Sequence, residues 1–103
     1  MTGALPKQFK PVKIPYYISW LHTQPCIVTG QMPVIVHHLR SATQSKDDRY
    51  AVPLIEKLHA VGNPNAVHEI GWENFECVHG VDLYAEAERH WAKWQRYLQD
   101  EAA

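Results

Sequence analysis

The sequence contains no long hydrophobic run, and this excludes a membrane-spanning helix. No apolar stretch in the 103 residues approaches the ~18 residues that such a helix needs. The N-terminus also lacks the apolar core of a secretory signal peptide. Internal repeats and low-complexity segments are absent, and apolar residues make up 46% of the chain, which is typical of a soluble globular domain. These absences predict one small soluble domain.

Cysteine is scarce as well. Cys26 and Cys77 are the only two, too few for the disulfide framework that stabilises small secreted domains. We therefore expect reduced thiols, a cytoplasmic location and no association with membranes. Cys77 is predicted to be a small buried apolar residue.

Acidic residues are missing from the N-terminal residues 1–15, which contain three lysines and three prolines. We interpret residues 1–15 as a basic extended arm and residues 16–103 as the single domain. Residues 1–68 hold seven Lys/Arg and three Asp/Glu, whereas residues 69–103 hold three and eight. A basic first part can face phosphates. A chance asymmetry of solvated surface charge remains the alternative.

The first half of the domain predicts a hairpin followed by a helix. Residues 16–22 favour a short helix over a strand. The β-type runs at 26–29 and 34–37 flank a four-residue connection that contains Gly and Pro, which is typical of a hairpin. After a polar loop at 41–49, Pro53 suits the first turn of a helix, with apolar residues recurring at helical spacing up to residue 61.

The second half predicts helices. Asn65 is a candidate cap for a short helix over 66–71. A further helix is expected over 72–79, ending at Gly80. Asp82 is a plausible N-cap for a long C-terminal helix whose apolar stripe predicts core packing. The expected fold class is therefore α+β, with a hairpin and a helix flanked by further helices.

Histidine is abundant, with seven in the chain. His37 and His38 end an apolar strand, on which neighbouring side chains point to opposite faces. Together with His59 and His68, His37 could surround one divalent metal ion, the pattern of a catalytic site with an open position. His38 would then remain free to act as a general base, since its unperturbed pKa of ~6.5 lies near working pH. His22, His79 and His90 are interpreted as surface or packing residues.

These histidines stand in a pattern that resembles the ββα-metal motif of HNH endonucleases, and more closely the small phage and prophage HNH proteins similar to recombination-enhancement nucleases. The resemblance covers roughly residues 16–95 of the chain. It is carried by five segments: Pro25-Cys26, His37-His38-Leu39-Arg40, Val52-Pro53-Leu54, Val67-His68 with Gly71, and Gly80-Val81-Asp82-Leu83.

The resemblance implies a role for each matching residue. It implies metal ligation by His37, His59 and His68, and a general base at His38. Arg40 would hold a phosphate oxygen through its planar guanidinium. The asparagine of the HNH name has no clear counterpart, and Asp48 would orient the base in its place. The implied fold is a small HNH-like core.

The sequence also departs from these relatives. Many of them hold a structural zinc through CxxC-like pairs, but here Thr29 stands three residues after Cys26, so a four-cysteine site is absent. His59 and His68 are nine residues apart instead of one helical turn. The expected cofactor is one divalent ion, and zinc, magnesium, manganese, cobalt and nickel remain open.

The expected function is that of a metal-dependent DNA endonuclease or nickase, phage or prophage encoded, acting in recombination or DNA processing. The alternatives are a catalytically inactive HNH-derived module that binds DNA or protein, and an interaction protein whose histidines are structural. DNA would be contacted through its phosphate backbone, and a homodimer remains open. The candidate contacts are Lys7, Lys10, Lys13, Arg40, Lys46 and Arg49.

Overall fold

A two-stranded antiparallel sheet organises the fold. In the computed structural model, structure is described for residues 12–40 and 45–102. Strand β1 (Ile35–His38) pairs with β2 (Ala51–Leu54), so that His37 lies opposite Val52 and His38 opposite Ala51. The α+β class is confirmed. Lys7 and Lys10, with most of the predicted N-terminal arm, lie outside the described residues.

Helices surround this sheet. Helix α1 (Pro15–Leu21) precedes it, and α2 (Val67–Ile70), α3 (Trp72–His79) and α4 (Leu83–Ala102) follow. The helix predicted near residues 16–22 is confirmed. The predicted helix over 72–79 is confirmed with the same bounds, and none of the helices in the described part of the chain is long and apolar enough to cross a membrane.

The signals that predicted the last two helices act locally. Gly80 ends α3 in the left-handed conformation, with φ of +65°. Asp82 caps α4 through Oδ1, which accepts a hydrogen bond of 3.0 Å from the Ala85 N–H. The cap assigned to Asn65 is wrong: Asn65 lies in a turn at φ +62°, and Ala66 precedes α2.

The predicted hairpin is wrong in its first strand. Residues 26–29 form a turn, because the Gly30 N–H donates to the Cys26 carbonyl oxygen at 2.9 Å. The β-branched residues Ile27 and Val28 pack against the core without joining the sheet. Strand β1 therefore pairs with a later segment of the chain, and its connection to β2 spans residues 39–50.

The helix predicted from Pro53 onward is also wrong. Pro53 lies in β2, opposite Val36, where its missing N–H is tolerated because β2 is an edge strand. Its carbonyl oxygen accepts a hydrogen bond of 3.2 Å from Ile27. Only a 3₁₀ turn, Glu56–Leu58, follows, and His59 caps its C-terminus.

The two faces of the sheet bury two different clusters. Because side chains alternate along a strand, Val52 and Leu54 face one way and Val36 and Ala51 face the other. The first pair packs in a core that also contains Phe75 of α3 and Leu83 of α4. The second pair packs against α1 and Trp94 of α4. His37 and His38 consequently open onto different sides of the sheet.

Candidate metal centre

Three of the four singled-out histidines converge. One ligand nitrogen from each of His37, His59 and His68 lies within 4.8 Å of the others. The ring centroids of His37 are 5.3 Å from His59 and 5.1 Å from His68, and those of His59 and His68 are 4.4 Å apart. These are the three residues that the sequence predicted as metal ligands.

Each histidine of this cluster comes from a different element. His37 lies on β1, His59 at the end of the 3₁₀ turn and His68 in the first turn of α2. His59 and His68 are nine residues apart in the chain. A backbone hydrogen bond brings them together, because the His68 N–H donates to the His59 carbonyl oxygen at 3.2 Å. The Glu69 carboxylate also fixes the intervening loop by accepting the Gly62 N–H at 2.8 Å.

The environment of His37 and His59 favours the neutral form of both imidazoles. Burial, together with the smaller effect of the neighbouring histidines, lowers the pKa of His37 to about 3. Burial also lowers the pKa of His59, with a contribution from His68. A neutral imidazole offers a lone pair, which is the form that binds metal.

One nitrogen–nitrogen distance in the cluster fits a transition-metal ion. The Nε2 atoms of His59 and His68 are 3.1 Å apart, close to the roughly 3.3 Å expected between two ligands of a tetrahedral ion with bonds of about 2.0–2.1 Å. Within the described ranges, no further His, Cys, Asp or Glu completes the group. Three protein ligands leave a position for water or substrate, as in catalytic zinc sites.

His38 has a different partner on the other side of the sheet. Its Nε2 lies 2.9 Å from Oδ1 of Asp48, and the two side chains are 16% and 9% exposed. The other oxygen, Oδ2, accepts the Ile14 N–H at 2.7 Å. Because a carboxylate only accepts hydrogen bonds, Nε2 carries the ring proton and Nδ1 holds the lone pair. Asp48 therefore fixes both the tautomer and the orientation of His38.

The residues predicted to contact phosphate differ in their exposure to solvent. Lys13, Arg40 and Lys46 are exposed. Lys46 is near enough to the metal-ligand candidates to lower the pKa of His59, whereas Glu56 raises it. Arg49 is buried, and its Nε and Nη2 atoms bind the Asp47 carboxylate at 3.2 and 3.1 Å. The guanidinium of Arg49 is thus engaged within the fold.

Sequence reasoning missed two features near the candidate site. The sequence places Asp47 and Arg49 in a polar loop, whereas the structure buries them as an ion pair just before β2. Glu56 also escaped attention, and the signal for it is its position three residues before His59 on one helical turn.

Three histidines and the second cysteine lie outside the candidate metal centre. His90 packs edge-on against Trp20 at 6.5 Å, as expected for a packing residue, and exposed His22 and half-buried His79 bond backbone carbonyl oxygens. The prediction for Cys77 is wrong, because its position on α3 leaves it exposed.

Comparison with known proteins returns no relative. No protein-family model matches the chain, and neither the curated proteins nor the solved structures contain a match. The function of the histidine cluster therefore has to be inferred from its own residues.

Proposed function

We propose that this chain is a metal-dependent endonuclease or nickase that hydrolyses phosphodiester bonds in DNA. One observation carries the proposal: the three-histidine cluster contains His37, and the next residue along the strand, His38, has an imidazole oriented by Asp48. The hydrolysis of a phosphodiester requires both a metal-ligand set and a general base, and consecutive residues of β1 supply one member of each.

His37, His59 and His68 would hold the ion. When bound, a divalent ion at these nitrogens would act as a Lewis acid on a phosphate oxygen. The cluster itself supplies neutral nitrogen donors and keeps them in place before any ion arrives, since burial and the backbone hydrogen bond between His59 and His68 determine their positions. Imidazole donors suit zinc, cobalt and nickel, while manganese and magnesium remain to be tested.

His38 would accept the proton of the attacking water through Nδ1. The bond from Nε2 to Asp48 leaves this nitrogen as the acceptor and stabilises the imidazolium that forms. Arg40 and Lys46, both exposed, would bind phosphate oxygens on either side of the scissile bond, and Lys13 would extend this contact along the backbone.

The HNH resemblance supports DNA as the nucleic acid and phage or prophage recombination or DNA processing as its setting. It also implies a ββα-metal core, of which the β1–β2 pair is present while a 3₁₀ turn stands where the helix would be. A single site of this kind would nick one strand, and cutting of both strands would need a dimer or two events.

A nicking assay on supercoiled plasmid tests the proposal. Metal-stripped protein is supplied in turn with Mg²⁺, Mn²⁺, Zn²⁺, Co²⁺ or Ni²⁺. We expect nicking with at least one ion, and a loss of about 10²–10⁴-fold in rate for His38→Ala, which removes the base. His79→Ala, which alters a histidine on α3 outside the cluster, is the matched control and should nick like the unaltered chain.

The inactive module is the second candidate, and one observation favours it. The side chains of His38 and Asp48 are largely covered, which is typical of a structural hydrogen bond. Metal uptake and DNA binding without nicking, under any of the five ions, would select this module and rule out the endonuclease. Nicking that persists in His38→Ala would show that His38 is not the base.

A further inference from the structure

An aromatic groove lies between α1 and α4, away from the histidine cluster. We name it the aromatic groove and define it by its lining residues: Tyr16, Ser19, Trp20, Thr23, Gln24, Lys93, Trp94 and Tyr97. Its volume is about 670 Å³, within the roughly 300–1,000 Å³ range of sites that take small organic ligands. Neither the histidine cluster nor the His38–Asp48 pair accounts for it.

Three rings of this groove pack on one another, and its two tyrosines are open to solvent. The Trp20 centroid is 5.5 Å from Trp94 and 6.3 Å from Tyr97, and Trp94 and Tyr97 stack at 5.6 Å. Tyr97 is 43% exposed and Tyr16 is 82% exposed. Exposed ring surface held at fixed positions is a low-entropy platform for stacking planar ligands.

The charge of the groove favours an anionic ligand. Lys93 is the one charged side chain among the lining residues, and it lies 6.0 Å from the Trp20 ring centroid. Its Nζ donates to Gln24 Oε1 at 2.8 Å, which holds the ammonium at the groove. Arg96 and Asp100, three and seven positions further along α4, are exposed on the same side of the helix and carry opposite charges, so Lys93 is the cation that the groove itself supplies. Ser19 and Thr23 add polar groups that can meet base edges.

The groove lies on the side of the sheet that His38 faces. Both α1 and Trp94 pack on Val36 and Ala51, which share that side. Tyr16 is two residues from Ile14, whose N–H binds Asp48, the partner of His38. The groove and the proposed base therefore lie on the same side of the sheet.

From this placement we infer that the aromatic groove binds unpaired bases of a single-stranded nucleic acid, with Lys93 on its backbone. Stacking on aromatic rings plus a cation is the way single strands are bound without sequence preference. Bases in a duplex have no free faces, so the inference specifies single-stranded or branched substrates. This inference rests on the proposed function only in that the substrate is a nucleic acid.

The test is a binding titration of the metal-free protein, so that it does not depend on cutting. A fluorescently labelled oligothymidylate and a duplex of equal length are compared by anisotropy. We expect tighter binding of the single strand, and a loss of about tenfold or more for the double variant Tyr16→Ala/Tyr97→Ala, which removes the exposed rings. Lys93→Gln should reduce the salt dependence of binding by about 0.7 in the log–log slope.

Tyr84→Ala is the matched control, because Tyr84 is also an exposed tyrosine of α4 but lies outside the groove. It should bind the oligothymidylate within twofold of the unaltered chain, and circular dichroism should show that all variants fold. Equal losses in Tyr84→Ala would overturn the inference.

Other occupants give different results. Equal affinity for duplex and single strand, or no binding of either, would rule out the groove as a base-stacking site. Quenching of tryptophan fluorescence by a proline-rich peptide but not by oligothymidylate would assign the groove to a protein ligand. A dimer in sedimentation that Tyr97→Ala dissociates would assign it to a second copy. Intact single-strand binding without cleavage of either the plasmid or single-stranded DNA would refute the endonuclease while leaving the groove assignment in place.

Discussion

At the scale of single residues, Asp48 joins two parts of the chain through one carboxylate. One oxygen accepts a hydrogen bond from His38 and the other accepts the Ile14 N–H, and the residue as a whole is 6% exposed. Asp48→Asn replaces one acceptor with an NH₂ donor, which must then face either the Ile14 N–H or the ring proton of His38. We expect a loss of about 1–3 kcal/mol in the free energy of unfolding.

The same variant separates structure from catalysis. If Asp48 orients the base, Asp48→Asn should also lower the nicking rate by more than tenfold while metal uptake stays unchanged. Urea unfolding, nicking and metal binding are measured on one preparation. A destabilised variant that nicks at the original rate per folded molecule would restrict Asp48 to a structural role.

Metal affinity is a further property that single side chains determine. His59→Ala removes one of three nitrogen donors and should weaken binding by more than the roughly 10–100-fold typical of changes to outer-shell partners. His22→Ala alters an exposed histidine after α1 and should leave the affinity unchanged. Isothermal titration with Zn²⁺ or Co²⁺ measures the affinity of both variants. Equal affinities of His59→Ala and His22→Ala would show that the cluster is not a metal site.

At the scale of elements, the end of α3 depends on one glycine. Gly80 has φ of +65°, and a Cβ added there would meet nothing within 4 Å. The cost of Gly80→Ala is therefore conformational, and we expect a loss of about 1 kcal/mol in unfolding free energy. Gly80→Asn should lose less, because Asn tolerates the left-handed conformation. Equal stability of all three chains in urea would contradict this account.

The packing of α1 against α4 predicts sensitivity to acid. His90 is 3% exposed, and burial lowers its pKa, although its bond to the Glu86 carbonyl oxygen acts in the opposite direction. The unfolded chain therefore binds more protons below the ordinary pKa of about 6.5. Stability should fall as the pH decreases below that value, by at most about 1.4 kcal/mol per pH unit from this residue, until the folded pKa is reached.

A comparison of His90→Gln with the unaltered chain isolates this contribution. Urea unfolding free energies are measured across the acid range, and the variant should lose less stability per pH unit. His22→Gln, a change at an exposed histidine, should follow the unaltered chain. Parallel curves for all three proteins would show that His90 does not cause the acid sensitivity.

At the scale of the whole molecule, the histidine cluster links three separate segments. A metal ion held by β1, the 3₁₀ turn and α2 binds the native chain and not the unfolded one. Added metal at 100 times its Kd should then stabilise the fold by about 2.7 kcal/mol. Thermal unfolding with and without Zn²⁺ measures the shift, which should disappear in His68→Ala. A shift that survives this substitution would locate the ion elsewhere.

The sequence by itself determined the features that rest on local signals. Caps and apolar spacing predicted α3 and α4, because Gly80 and Asp82 satisfy helix ends within a few residues. Composition alone did not predict the α+β class, which also required the short β-type runs. Residue type and spacing also identified the three ligand candidates and the separate position of His38, since adjacent residues of a strand point to opposite faces.

Only the tertiary structure decided how these pieces meet. The partner of β1 is β2 and not residues 26–29, and Pro53 lies in a strand, because long-range pairing and burial outweigh the local preference of a short run. The convergence of His59 and His68 depends on a backbone bond across a loop, and the partner of His38 on contacts that join Asp48 to residues before α1. The aromatic groove likewise exists only where α1 crosses α4. Such contacts join residues far apart in the chain, so no local pattern contains them.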